Sequence, residues 1–167
     1  MDEYFKIFWL DTSALVKLFI NEPGSKELNS EFNGKPGNIF YSTDYCRYEL
    51  FNVLKRKLVK DKSISHEEYL RHIFIISTYI KMNKIRIDDK DHNTNIIWQE
   101  TKVFVEKYGI DYTDAIQFTL LKRGFLNIFK GGESEAILIT SDQNMIKAAK
   151  AEDMRFWNPE KGSLKDK

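Results

Sequence analysis

The sequence predicts an α/β fold, a three-layer α/β/α sandwich around a mostly parallel central sheet. Short apolar segments of strand length alternate with longer segments of helical periodicity, a pattern typical of parallel sheets with helices on both faces. The chain has 167 residues, of which 42% are hydrophobic and 14% aromatic, so it can bury a sizeable core and is not disordered. We therefore expect one domain over residues 1–160 and a short polar tail over 161–167.

The first third of the chain predicts one strand and two helices. Ile7–Leu10 is a short apolar run with a β-branched residue and two aromatic residues, as in a buried strand. A helix is predicted from Thr12 to Ile20, because apolar residues recur at helical spacing after Asp-Thr-Ser, and it ends at the turn residues 22–25. Ser25–Phe32 predicts a short helix, and residues 33–38 have the composition of a loop.

The middle of the chain predicts two more strands and two long helices. Ile39–Ser42 is the second strand, and Thr43 or Asp44 caps a helix that reaches about Lys60. After a polar segment, a helix begins at Ser65 and runs to about Tyr79. Ile85–Ile87 predicts a weak third strand.

The last third returns to strict alternation. Helices are predicted at Asp91–Lys107 and Asp111–Arg123, followed by an apolar strand at Ala136–Ile139. A helix at Asp142–Ala151 and a strand at Arg155–Trp157 complete the prediction.

Charge and cysteine content exclude several classes of protein. Lys plus Arg (26) nearly equals Asp plus Glu (25), so any contact with nucleic acid must come from local patches. The single cysteine, Cys46, excludes an internal disulfide and a multi-cysteine metal site. No apolar run is long enough for a membrane span or a signal sequence, and we expect a cytoplasmic protein without membrane contact.

Two acidic residues follow predicted strands directly. Asp11 comes after the first strand, and Asp142 comes after Thr140 and Ser141 at the end of the strand at 136–139. Each is explained equally well as a helix N-cap. Capping does not explain the repetition, however, and parallel strands place both junctions at the edge of the sheet where ligands bind.

Two further acids lie on the inner sides of predicted helices. Glu49 falls on the border of the apolar stripe of its helix, where it is either a rim ion pair or a metal ligand. Asp114 stands in the first turn of its helix, favourable for the helix dipole, and heads an inward stripe that continues with Phe118 and Leu121. An acid aimed at the interior needs a partner, and a metal ion would supply one. Asp111 is a weaker candidate.

These residues carry a resemblance to PIN-domain proteins, especially VapC-type toxin ribonucleases. The match extends over about residues 6–159. Its motifs, in order, are LDTSALVKLF at 10–19 with EPGS at 22–25, ELFNVL at 49–54, YTDAI at 112–116, TSD at 140–142 with KAA at 147–149, and WNP at 157–159. Residues 124–135 form a longer link than the family leads us to expect, and the helices between 65 and 107 carry no motif.

The resemblance implies a PIN-like fold and a divalent-metal-dependent endoribonuclease that uses Mg²⁺ or Mn²⁺, cleaves RNA, and is the toxin of a toxin–antitoxin pair. It also implies an antitoxin partner and a homodimer. The implied catalytic and metal-binding residues are Asp11, Glu49, Asp114 and Asp142, supported by the hydroxyls of Thr12, Ser13, Thr140 and Ser141, with Asn52, Arg56 and Lys60 as candidate contacts to the RNA backbone. The alternative is a catalytically silent PIN-like module that binds nucleic acid or protein.

Other conspicuous residues have simpler explanations. The helix around residues 73–80 is apolar nearly all round, so we expect it to be fully buried or to form a dimer contact. Cys46 is expected to be an inert buried thiol, and the three tryptophans, Trp9, Trp98 and Trp157, are expected to belong to the core. His66, His72 and His92 lack the spacing of metal ligands.

Overall fold

Five parallel strands form the centre of the molecule. The computed structural model describes residues 6–34, 37–88, 94–124 and 135–164. The strands lie in the order β3-β2-β1-β4-β5, and every neighbouring pair is parallel. They are β1 (Lys6–Leu10), β2 (Ile39–Thr43), β3 (Arg86–Asp88), β4 (Glu135–Ile139) and β5 (Phe156–Trp157).

Seven α-helices within the described ranges cover the sheet. They are α1 (Thr12–Phe19), α2 (Ser25–Gly34), α3 (Asp44–Val59), α4 (His66–Lys81), α5 (Asn95–Tyr108), α6 (Tyr112–Arg123) and α7 (Gln143–Ala151), and a 3₁₀ turn (Pro159–Lys161) follows β5. None of them is both long enough and apolar enough to span a bilayer.

Alternate side chains of the strands build a separate core on each face of the sheet. Phe8 and Leu10 of β1 pack with apolar residues of α1 to α4, whereas Trp9 packs with residues of α5, α6 and α7. Successive residues of a strand point to opposite faces, so one buried apolar strand serves both cores. The predicted three-layer α/β/α sandwich is confirmed.

Most predicted elements are present, with differences at their ends. The predicted start of the helix at Asp91 lies outside the described residues, and the helix is seen from Asn95. Most of the link at 124–135 also lies outside them. Beyond β5, the Trp157 indole donates to the carbonyl of Gly162 (2.9 Å), and Leu164 packs against the core. The packed domain therefore continues past residue 160, into the predicted polar tail.

One prediction about apolar side chains is wrong, and another keeps only the second of its two alternatives, a dimer contact. Trp9 and Trp157 are fully buried as expected, but Trp98 on α5 is 57% exposed and is not a core residue. On α4, Ile76 is buried while Phe74 is 71% exposed, so the helix is not fully buried within the chain. Cys46 is buried, and burial raises the pKa of its thiol to about 12, as expected for an inert cysteine.

The Glu152 side chain connects α5 and α6 to the end of α7 through hydrogen bonds. Its carboxylate accepts hydrogen bonds from Lys107 (2.8 Å), Lys122 (2.5 Å) and the Tyr108 hydroxyl, and these bonds lower its pKa to about 2. We expect Glu152→Gln to lower the free energy of unfolding by about 1 kcal/mol at pH 7, because the two lysines are half exposed and the ion pairs are partly screened. Urea unfolding measures the difference.

The loss of unfolding free energy caused by Glu152→Gln should depend on pH. Because the folded pKa lies below the unfolded value, the stabilisation is present above about pH 4.5 and is lost as the pH falls toward 2. A difference between the two proteins that does not shrink between pH 5 and pH 2 would contradict this role of Glu152.

Candidate metal centre

Asp11 stands at the carboxyl end of β1 and caps α1. One of its carboxylate oxygens accepts hydrogen bonds from the Ala14 N–H (2.7 Å) and the Ser13 hydroxyl (2.8 Å). The residue is only 3% exposed, and this burial raises the pKa of the carboxyl group to about 6, against hydrogen bonds from Thr140, Ala14 and Ser13 that favour the charged form. The predicted cap is therefore real, and it holds an acid inside the protein.

Asp142 repeats this arrangement on the neighbouring strand. β1 and β4 are adjacent and in register, with Leu10 opposite Ile139, so their ends meet at one edge of the sheet. Asp142 caps α7 by accepting from the Asn144 and Met145 N–H groups (both 2.8 Å). It is exposed, unlike Asp11.

Glu49 connects three helices at the same edge. One carboxylate oxygen accepts from the Thr12 hydroxyl of α1, and the other accepts from the Thr113 hydroxyl of α6 (2.8 Å). The predicted border position on α3 is confirmed, since Glu49 is half-buried and the next residue, Leu50, is fully buried. Within the described residues, the Glu49 carboxylate is bound by hydroxyl groups and by no cation. The rim ion pair, one of the two roles predicted for Glu49, is therefore absent there.

Asp114 lies in the first turn of α6, and the pKa of its carboxyl group is raised further than that of Asp11. Burial raises its pKa to about 7, and the negative charges of Asp111, Asp11, Asp142 and Glu49 add to the shift. The Asp114 carboxylate receives no hydrogen bond from the part of the chain that the structure describes. Acids from four separate segments therefore lie close enough to repel one another.

Asp111, the weaker candidate, lies beside Asp114 at the start of α6. Its carboxylate caps α6 by accepting from the Asp114 N–H (2.9 Å) and also contacts the Thr113 hydroxyl (2.8 Å). A threonine hydroxyl has one proton, so Thr113 can donate to Asp111 or to Glu49 but not to both at once. Sequence reasoning missed Thr113, because nothing local marks a threonine whose partner is 64 residues away.

Three of the four predicted hydroxyl groups contact carboxylates of the acids. Thr12 donates to Glu49, Ser13 donates to Asp11, and Thr140 bonds both the Asp11 carboxylate and the Asp142 N–H (3.0 Å to the latter). Ser141 differs, since its hydroxyl points to Asn158 (3.2 Å) and only its N–H contacts the cluster, through Ser13.

The donor set is suitable for a hard divalent cation. Its ligands would be carboxylate oxygens: the Asp11 carboxylate is buried, and the Asp114 carboxylate receives no hydrogen bond within the described residues. The carboxylates repel one another, and a bound cation would relieve this repulsion. Within the described ranges, no group of three or more His, Cys, Asp or Glu side chains that could hold a metal ion is present. Mg²⁺ does not require one, because it is commonly held by one or two carboxylates, water and substrate phosphate.

The candidate cations lie further along α3. Asn52, Arg56 and Lys60 are exposed, and neither Arg56 nor Lys60 is paired with an acid within the described part of the chain. Since a helix rises about 1.5 Å per residue, Arg56 lies roughly 10 Å and Lys60 roughly 16 Å from Glu49 along the axis.

Solved structures share this fold. The chain is similar to a chain of VapBC-1 from nontypeable Haemophilus influenzae, with 16% identity, a TM-score of 0.57, and coverage of 92% of this chain and 98% of that one. It is also similar to a chain of VapBC2 from Rickettsia felis bound to a DNA fragment from their promoter, with 19% identity, a TM-score of 0.59, and coverage of 91% and 98%. No family model and no curated protein sequence matches the chain.

Proposed function

We propose that this chain, which folds like the VapBC chains, is a PIN-domain endoribonuclease of the VapC type that depends on a divalent metal. The observation that carries the proposal is that the paired strands β1 and β4 bring Asp11 and Asp142 to one edge of the sheet, where Glu49 accepts hydrogen bonds from Thr12 and Thr113, the chain neighbours of Asp11 and Asp114. An assembly of acids that repel one another is costly unless a cation binds there. We propose Asp11, Glu49, Asp114 and Asp142 as the residues that hold Mg²⁺ or Mn²⁺.

The chain's own residues have separable tasks in this proposal. A bound metal would polarise the phosphoryl oxygen and activate water for hydrolysis of the phosphodiester. Ser13 and Thr140 hold Asp11 in one orientation, and Thr12 and Thr113 do the same for Glu49. Since these hydroxyls donate to the carboxylates, they favour the charged form that a metal needs.

Cleavage of defined nucleic acids tests the proposal. Purified protein should cut labelled single-stranded and stem-loop RNA in Mg²⁺ or Mn²⁺ and should stop in EDTA. A DNA of the same sequence shows whether cleavage requires the ribose sugar of RNA. Metal binding without turnover on any RNA would instead support the silent binding module.

Arg56 and Lys60 are proposed to contact the RNA backbone. Replacement of both by Gln should weaken RNA binding for all sequences alike and reduce the salt dependence of binding by about two phosphate contacts. Fluorescence anisotropy between low and moderate salt measures both quantities. Lys57 is the matched control, because it is paired with Glu22 (3.0 Å) and should contribute little. An unchanged salt slope in the double variant would contradict the proposed path.

We also propose that the chain forms a homodimer and is held inactive by an antitoxin. Leu70 and Phe74 lie one turn apart on α4, and both are largely exposed. Light scattering should give the mass of a dimer, and Phe74→Glu should give that of a monomer with unchanged circular dichroism. A monomer in the unsubstituted protein would exclude the dimer.

A further inference from the structure

We propose that the turn after β5, residues 158–162, is a clasp that holds the two acid-bearing junctions together, with Asn158 as its positioning residue. The junctions are those between β1 and α1 and between β4 and α7. This inference rests on the proposed function of the site, and it concerns residues that touch none of the four acids directly.

Asn158 is buried and has its amide orientation determined by its neighbours. It is 2% exposed, and its Oδ1 accepts from the Glu160 N–H (2.9 Å) and from the Ser141 hydroxyl (3.2 Å). A backbone N–H can only donate, so the atom facing Glu160 must be the oxygen. The Nδ2 atom is buried and has no hydrogen-bond partner among the described residues. A buried amide group without a partner is costly, and outside its own turn the Asn158 side chain accepts a hydrogen bond from Ser141.

A short chain of hydrogen bonds leads from Asn158 to the buried acid. Ser141 donates its hydroxyl to Asn158 and its N–H to the Ser13 hydroxyl oxygen (2.9 Å). Ser13 in turn donates to Asp11 (2.8 Å). Ser141 immediately precedes Asp142, so the position of Ser141 sets the separation of Asp142 from Asp11.

An ion pair between buried Lys17 and exposed Glu160 connects the other end of the clasp to α1. Lys17 is only 4% exposed, and its ammonium lies 2.9 Å from the Glu160 carboxylate. Lys17 lies on the helix that Asp11 caps, and its ammonium group lowers the pKa of the Glu160 carboxyl group. The clasp therefore contacts both junctions through polar side chains, of which Asn158 and Lys17 are buried.

Gly24 explains how the clasp comes so close to the turn after α1. A Cβ atom on Gly24 would lie 2.8 Å from the Glu160 nitrogen and 2.8 Å from the Pro159 carbonyl carbon, and the residue has a φ of +85°. Only glycine fits at this contact. The EPGS and WNP motifs, which lie near opposite ends of the sequence, thus form the two sides of one contact.

The test compares Asn158→Ala and Ser141→Ala with Glu152→Gln as a stability control at the other end of α7. We expect both clasp variants to weaken Mn²⁺ binding about tenfold by calorimetry. They should also speed amide hydrogen exchange at Ser141 by roughly fivefold to tenfold, because its local hydrogen bonding is loosened. Glu152→Gln should change neither quantity.

The double variant separates positioning from general destabilisation. If Asn158 acts through the Ser141 hydroxyl, the two substitutions together should weaken Mn²⁺ binding no more than either alone. Effects that simply add, or exchange at Ser141 no faster than in Glu152→Gln, would overturn the clasp. If the unsubstituted protein fails to bind Mn²⁺, the proposed function is wrong, and the exchange comparison alone decides the clasp. Should Asn158→Ala not fold, Ser141→Ala carries the same comparison.

Discussion

Asp11→Asn is expected to reduce RNA cleavage by more than about 100-fold, since supporting groups around a metal already cost 10–100-fold when removed and Asp11 is proposed as a ligand itself. At this position the substitution removes the negative charge and can leave the helix cap in place. Asparagine caps helices as well as aspartate does, so the bonds from Ala14 and Ser13 can remain. The measurement is the single-turnover rate at saturating Mg²⁺, with circular dichroism to show that the fold persists.

The control for this loss is a second cap that lies outside the cluster. Ser65 caps α4 by accepting from the Glu68 N–H (3.1 Å), and Ser65→Asn keeps that kind of contact. Its cleavage rate should equal that of the unsubstituted protein. Cleavage by Asp11→Asn at a comparable rate would show that the carboxylate has no part in the chemistry.

Raising the pH from 4 to 8 is expected to destabilise the metal-free protein through Asp11 and Asp114. Their folded pKa values, about 6 and about 7, lie above the ordinary value of 3.8, so the folded state holds its protons longer than the unfolded state. The stability contributed by the neutral forms is complete below about pH 4 and is lost as the pH rises through 6 and 7. For buried Asp11 the loss is about 2 kcal/mol.

Two comparisons isolate this contribution from that of other groups. Asp11→Asn stays neutral, so without metal it should be more stable than the unsubstituted protein at pH 8 and no more stable at pH 4. Saturating Mn²⁺ should restore stability at pH 8 in the unsubstituted protein and have little effect in the variant. Denaturant unfolding at both pH values measures this. Equal pH profiles for the two proteins would contradict the raised pKa of Asp11.

The fold was largely predictable because its strands are short, apolar and separated by helices. The alternation of Phe8, Trp9 and Leu10 between two cores follows from the geometry of a strand. The exposure of Trp98 and Phe74 did not follow, because composition indicates that a helix has apolar residues but not how much of it the chain can cover. The packing of Leu164 was missed for a related reason, since the sequence around it is polar.

The positions of the proposed metal ligands were predictable where an acid directly follows a strand. Asp11 and Asp142 follow buried strands, and the parallel pairing of β1 with β4 brings those ends together. The capping and site interpretations proved compatible, because a cap leaves the carboxylate free to contact other groups. Thr113 and Asn158 could not be found in this way, since their partners come from distant segments that only the folded chain brings close.

The most direct test of the central claim is the anomalous scattering of Mn²⁺ soaked into crystals of this protein. We expect an ion among the acids, with carboxylate oxygens of Asp11 and Asp114 among its ligands at about 2.2 Å. Glu49 or Asp142 should complete the site directly or through water. An ion bound elsewhere, or none at these four residues at millimolar Mn²⁺, would contradict the claim that acids from four separate segments form one metal centre.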